Sequence, residues 1–122
     1  AVAAIENYLR IEGGATDVAQ QFKVIGHSPH FAAAAASFEK RNAALEDLGL
    51  NPRRFHFNAN FGRELEYYTG FVFQIEASVG NHDVSVAGGG RYDELLQDLG
   101  APSRIPAVGC AIHTERLKAV LT

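Results

Sequence analysis

The stretch Tyr67-Tyr68-Thr69-Gly70-Phe71-Val72-Phe73-Gln74-Ile75-Glu76-Ala77, followed by Gly80-Asn81-His82 and then Val84-Ser85-Val86-Ala87-Gly88-Gly89-Gly90-Arg91-Tyr92-Asp93, decides the fold. Residues 67–77 are rich in aromatic and β-branched side chains, the composition of a strand. Gly80-Asn81-His82 is a turn signal, and Val84 and Val86 continue as a returning strand, so the segment predicts an antiparallel hairpin. Three glycines then interrupt at the strand end. Glycine costs backbone entropy, so a run of three implies a close approach to the backbone or a positive φ. A bulge or tight turn into the next helix fits the same residues. The later glycine of a dinucleotide fingerprint and the Gly-Lys-Ser/Thr of a P-loop are missing.

Beyond the hairpin, Asp93 is expected to cap a short helix from Glu94 to Leu99 that Gly100 ends. A loop from Ala101 to Pro106 leads to Ala107-Val108-Gly109-Cys110-Ala111-Ile112, which has the small apolar residues of a buried strand. Thr114 is expected to cap a last helix, Glu115 to Leu121. Upstream, Arg54-Phe55-His56-Phe57 alternates as a strand does, after a break at Asn51-Pro52. The first half reads as helical. Val2, Ile5 and Leu9 recur at helical spacing and stop at Gly13-Gly14. Thr16 or Asp17 caps a second helix carrying Val18, Phe22 and Ile25, with Gly26 as its end. Ser28-Pro29 is an N-cap followed by proline at the first helical position. A long helix then runs through Phe31, the alanines 32–36, Phe38, Leu45 and Leu48 to Gly49. The expected organisation is a helical segment over 1–50 and a strand-rich part over 51–122. The class is α+β, with a mostly antiparallel sheet flanked by helices.

Composition sets limits on function. The 122 residues are 47 % hydrophobic and 20 % charged, which suits a folded domain with its own core. The net charge of −3 weighs against a chain that coats nucleic acid. Cys110 is the only cysteine, so no intrachain disulfide can form, which fits a reducing cytoplasm. No apolar run approaches the roughly 20 residues of a membrane span. The chain has no methionine and no basic leader, and it is read as processed or as a piece of something longer.

Three clusters in the second half could carry chemistry. Arg63-Glu64-Leu65-Glu66-Tyr67-Tyr68 sets a cation at a strand entrance and two tyrosines on opposite faces of that strand. Ordinary aromatic packing explains the same pair. Gly88-Gly89-Gly90-Arg91-Tyr92-Asp93 is the glycine strand. Gly109-Cys110-Ala111-Ile112-His113-Thr114-Glu115-Arg116-Leu117 is a small-residue strand feeding a helix, which a core strand with a surface Glu–Arg pair also explains. His27 and His30 have a ligand-like spacing, but Pro29 lies between them and no partner pair follows, so no metal is expected. Cys110, in a buried-type strand, is expected to be an inert core thiol.

Taken together and in this order, the clusters resemble the signatures of histidyl-tRNA synthetase, a class II aminoacyl-tRNA synthetase. That family writes the first as Arg-Gly-Leu-Asp-Tyr-Tyr, the second as Ala-Gly-Gly-Arg-Tyr-Asp and the third as Gly-Phe-Ala-x-Gly-x-Glu-Arg-Leu. The match covers roughly residues 55–122. The helical half resembles only the region before these signatures, and more weakly. The first and second class II signatures and an anticodon-binding domain are missing, so the sequence resembles a C-terminal portion of the catalytic-like core.

The resemblance implies a histidine pocket made by Arg63, Tyr67, Tyr68, Gly89, Gly90, Arg91 and Tyr92. The arginine would lie by the histidine carboxylate and the tyrosines around the imidazole. Gly109, His113 and Arg116 would form an ATP site, and here it departs from the family pattern. His113 replaces a glycine with a bulky ring, and Cys110 replaces a phenylalanine. The run Tyr67 to Phe73 reads more like the family's non-aminoacylating paralogue, the regulatory subunit of ATP phosphoribosyltransferase. The resemblance therefore implies a degraded ATP site, no catalytic residue and no cofactor. It also implies histidine as ligand, an oligomer, and the short-form catalytic subunit of histidine biosynthesis as partner. A fragment of histidyl-tRNA synthetase itself is the alternative.

Overall fold

The computed structural model describes residues 2–25 and 28–122, and the expected helix stop at Gly26 lies outside them. The chain forms two compact units that meet between Phe61 and Gly62. The first holds α1 (Val2–Leu9), β1 (Glu12–Gly14), α2 (Ala15–Ile25), α3 (Pro29–Asp47), a 3-10 turn (Pro52–Arg54) and β2 (His56–Asn58). Residues 51–61 thus join the helical segment expected over 1–50, because β2 pairs antiparallel with β1, Gly13 opposite Phe57.

Local rules place the long helix well. The Ser28 hydroxyl accepts the Phe31 N–H at 3.1 Å, and Pro29 follows at the first helical position. At the other end Gly49 takes φ +85°, its N–H bonds to the Glu46 carbonyl at 2.8 Å, and Leu50 N–H bonds to Leu45 at 3.1 Å. These paired bonds satisfy carbonyls that a helix end leaves open. The second helix differs from expectation. It begins at Ala15, whose N–H bonds to Phe55 O at 3.1 Å, so Thr16 and Asp17 fall in its first turn rather than at its cap. The first helix ends at Leu9, before Gly13 and Gly14, which lie in the short strand β1 instead.

The core of this unit is Ile11, Ala15, Val18, Phe22 and Phe38. Phe22 is its centre, with ring centroids of Phe31, Phe38 and Phe57 at 5.6, 5.3 and 5.3 Å, all edge-to-face. That geometry sets the positive ring edge on a negative face.

The second unit is a three-stranded antiparallel sheet in the order β3 (Val72–Val79), β4 (His82–Arg91), β5 (Val108–Ile112), with α4 (Leu95–Asp98) and α5 (Thr114–Leu121). The hairpin turns at Gly80-Asn81, with Gly80 at φ +61° and Val79 opposite His82. A register shift lies at Ile75/Glu76. Four expectations need correction. The strand begins at Val72, so Tyr67 and Tyr68 precede it and do not sit on its opposite faces. Thr114 lies inside α5, behind His113, and caps nothing. Asp93 makes no helix cap either, because its carboxylate is engaged elsewhere. Finally, β5 is an edge strand with Val108 and Ile112 exposed, and Cys110 is exposed rather than an inert core thiol.

Candidate functional site

The glycines expected to interrupt β4 are part of it, buried at the centre of the sheet. Side chains alternate along a strand, and residues paired across a ladder share a face. Gly90 pairs with Val72 and Gly109, and Gly88 pairs with Gln74 and Ala111. These positions make one face of the sheet, a floor nearly bare of side chains at its middle.

Arg63 and three tyrosines fill the space over this floor. A Cβ on Gly88 would overlap the Arg63 guanidinium, and one on Gly90 would lie 2.9 Å from the Tyr68 ring. A Cβ on Gly109 would lie 2.5 Å from the Tyr92 hydroxyl. Only glycine lets these side chains lie so close to the sheet. The Tyr67 and Tyr68 rings are 4.7 Å apart by centroid. Tyr92 meets Tyr67 edge-on at 5.5 Å and lies 6.5 Å from Tyr68. Hydrogen bonding with Tyr68, then loss of hydration and the neighbouring phenols, raise the Tyr67 phenol above its ordinary value, while the charge of Arg63 lowers it. The Tyr67 phenol therefore stays protonated at neutral pH and keeps its donor. The Arg63 Nε is buried without a hydrogen-bond partner, and such a donor carries an uncompensated desolvation cost. The arrangement offers one cation and three phenols, each phenol able to donate or accept, grouped over the glycine floor.

The structure therefore gathers Arg63, Tyr67, Tyr68, Gly90 and Tyr92, and it adds Gly109, which the sequence reading assigned elsewhere. Gly89 faces the neighbouring strand: a Cβ there would run into the Gly109 carbonyl and the Cys110 backbone. Arg91 is not brought to the tyrosines. It alternates to the other side of β4, and its Nε donates to Asp93 at 2.8 Å. His113 follows Gly109 and Ala111 at the end of β5, its N–H bonded to the Val86 carbonyl at 2.8 Å. Arg116 donates to the Ser85 carbonyl at 3.2 Å, which ties α5 to β4.

Sequence reading missed Asp93 as a member of this region. It is buried, and its carboxylate accepts from Arg91 Nε, Arg104 Nη2 and Ala107 N–H. An acid flanked by Arg91 and Arg104 was a visible signal, but the partners become apparent only once the loop folds back. Among the described residues no three His, Cys, Asp or Glu side chains gather as for a metal, and His27 lies outside those residues. Among the same residues, no helix is long and apolar enough to cross a membrane.

Two solved structures share this architecture. One is an ATP phosphoribosyltransferase regulatory subunit/histidyl-tRNA synthetase from Bacillus halodurans, with TM-score 0.78 and 26 % identity, covering 98 % of this chain and 30 % of that one. The other is histidyl-tRNA synthetase from a Nostoc species, with TM-score 0.72 and 26 % identity, covering 96 % of this chain and 28 % of that one. Fold and site together define part of a class II aminoacyl-tRNA synthetase-like core. The sequence profile described as histidyl-tRNA synthetase matches residues 1–117, and the chain belongs to that family. Among its relatives, the ATP phosphoribosyltransferase regulatory subunit of Mesorhizobium japonicum is 41 % identical over 98 % of this chain and 32 % of its own length. The protein of the same name from Agrobacterium fabrum is 48 % identical over 71 % of this chain and 23 % of its own length. The chain thus spans between about a quarter and a third of these relatives.

Proposed function

We propose that this chain is the synthetase-like part of a regulatory subunit of ATP phosphoribosyltransferase, holding histidine as an effector rather than joining it to tRNA. The observation that carries the reading is the 41 % identity, along nearly the whole chain, to a relative of that name. The geometry supports the ligand. An imidazole is flat, partly apolar and carries two ring nitrogens, and the Tyr67, Tyr68 and Tyr92 cluster groups aromatic surface and phenol hydroxyls suited to such a ring. Arg63, with a donor to spare, suits the carboxylate of an amino acid. The glycine floor lets Arg63, Tyr68 and Tyr92 lie against the sheet, so the amino acid would meet these side chains rather than the backbone. Arg91 drops out of the pocket, because Asp93 already engages it.

The same reading assigns the surface at His113 and Arg116 to a degraded ATP site, while Gly109 lies against Tyr92. The partner is the short-form catalytic subunit, and histidine acts as feedback inhibitor of the assembly. Coupling would be reciprocal, each partner changing the other's affinity by the same factor. The test uses the full-length protein that carries this sequence. Mixed with the short-form catalytic subunit, it is expected to restore phosphoribosyl transfer to ATP, and added histidine is expected to reduce that activity. Charging of tRNA with histidine by the same protein would overturn the reading in favour of a synthetase.

A further inference from the structure

The three backbone N–H groups of Arg91, Tyr92 and Asp93 are donated to both sides of the chain segment that bears Tyr92. Arg91 N–H goes to the Phe71 carbonyl at 3.0 Å, Tyr92 N–H to the Ala107 carbonyl at 2.8 Å, and Asp93 N–H to the Thr69 hydroxyl at 3.0 Å. Thr69 returns its own N–H to the Arg91 carbonyl at 2.9 Å. The Asp93 side chain completes the set. Its Oδ1 accepts the Ala107 N–H at 3.1 Å, Arg91 Nε lies 2.9 and 2.8 Å from its two oxygens, and Arg104 Nη2 lies 3.3 Å from Oδ2. One buried carboxylate therefore touches the loop before β5 and both arginines that flank it. Its own N–H reaches the residue beside Tyr68.

We infer that Asp93 is the positioning residue of the tyrosine cluster, clamping the 67–69 segment and the 104–107 loop so that Tyr68 and Tyr92 keep their mutual geometry over the glycine floor. The assignment rests on the histidine reading only for the ligand, while the clamp itself is a statement about this chain. Two features single out Asp93. It is the one buried polar or charged residue among those described. Among the described residues, its contacts also join segments that share no other side-chain hydrogen bond: Thr69, Arg91, Arg104 and Ala107 all meet at this residue. Buried charge-assisted hydrogen bonds are stronger and more directional than neutral ones, so replacing the carboxylate weakens all three acceptor contacts together.

The test is Asp93→Asn in the full-length protein, read by amide hydrogen exchange and by calorimetry with L-histidine and with L-histidinol. Exchange is expected to quicken at residues 67–69 and 104–107 while the hairpin of β3 and β4 stays protected. Both ligands are expected to weaken by the same factor, about tenfold for the loss of one charge-assisted contact. A shared factor marks a loss of imidazole recognition. By contrast, Arg63→Ala should weaken histidine and leave histidinol, which lacks the carboxylate, nearly unchanged. If Asp93→Asn does not fold, Arg104→Gln removes a single half-exposed partner and should loosen 104–107 alone. Unchanged exchange at both flanks overturns the clamp, as does uniform loss of protection across the hairpin. If the wild-type protein binds neither ligand, the histidine reading falls, and the exchange result still decides the clamp.

Discussion

The Arg63 guanidinium occupies the space that a Cβ on Gly88 would need. Gly88→Ala must therefore push the end of a flexible side chain aside. It is expected to cost at most about 1 kcal/mol of stability, near the low end for overpacking, while weakening histidine binding by about tenfold. Gly89→Ala makes a contrast, because it meets the β5 backbone at Gly109 and Cys110, which cannot swing away. That variant is expected to lose about 3 kcal/mol or more in denaturant unfolding. Equal costs for the two would remove the claim that a movable side chain, Arg63, fills the space over Gly88.

Phe22 tests the core of the first unit. Four rings surround it, those of Tyr8, Phe31, Phe38 and Phe57. Phe22→Ala is expected to destabilise by about 3–5 kcal/mol, and Phe22→Leu to recover more than half of that loss. The checking measurement is urea unfolding followed by circular dichroism at the helical band. A loss below about 1 kcal/mol for the alanine variant would contradict the packing.

Ser28 is half-outside its helix and makes one bond that matters, accepting the Phe31 N–H. Ser28→Ala is expected to cost about 1 kcal/mol, and Ser28→Asn close to nothing, since asparagine caps as well as serine. The midpoint temperature of the two variants against wild type reads this directly.

The pH dependence follows from Asp93. Hydrogen bonding from Arg91 holds its carboxyl below the ordinary value of 3.8, against the opposing effect of burial. The Ala107 N–H and the charges of Arg91 and Arg104 add to the lowering. A depressed folded value means that the carboxylate's contribution is fully present above the unfolded pKa and disappears as pH falls through the folded one. The stability advantage of wild type over Asp93→Asn should therefore be constant from pH 7 down to about 4 and shrink below it. Thermal unfolding of both proteins at pH 7, 5 and 3 checks this. An advantage that grows toward acid would reverse the sign and sink the argument.

Legibility in the sequence followed the range of the interactions. Ser28-Pro29, Gly49, Gly80-Asn81 and Gly100 were readable because caps and turns are settled by neighbours within a few residues. The hairpin was readable from composition, whereas Gly88, Gly89 and Gly90 continue the strand they read as interrupting. Tyr67 and Tyr68 were misplaced on a strand because aromatic residues suggest strands. In the structure Tyr68 instead folds over Gly90, and regular pairing starts at Val72. Asp93 looked like a helix cap because its partners at Arg104 and Ala107 come together only through the loop. The small residues of β5 suggested burial, yet Gly109 makes room for the Tyr92 hydroxyl, while Val108 and Cys110 on the other face remain exposed. The short strand β1 exists only through its pairing with β2, and three residues carry no periodic signal of their own.

The central claim is that Arg63 and the tyrosines over the glycine floor hold histidine. Isothermal titration of the full-length protein with L-histidine, alongside Arg63→Ala and Tyr92→Phe, tests it most directly. The account expects saturable binding in the wild type, and affinity lower by about tenfold or more in each variant. Histidine affinity unchanged in both variants, or no binding by the wild type, would contradict it.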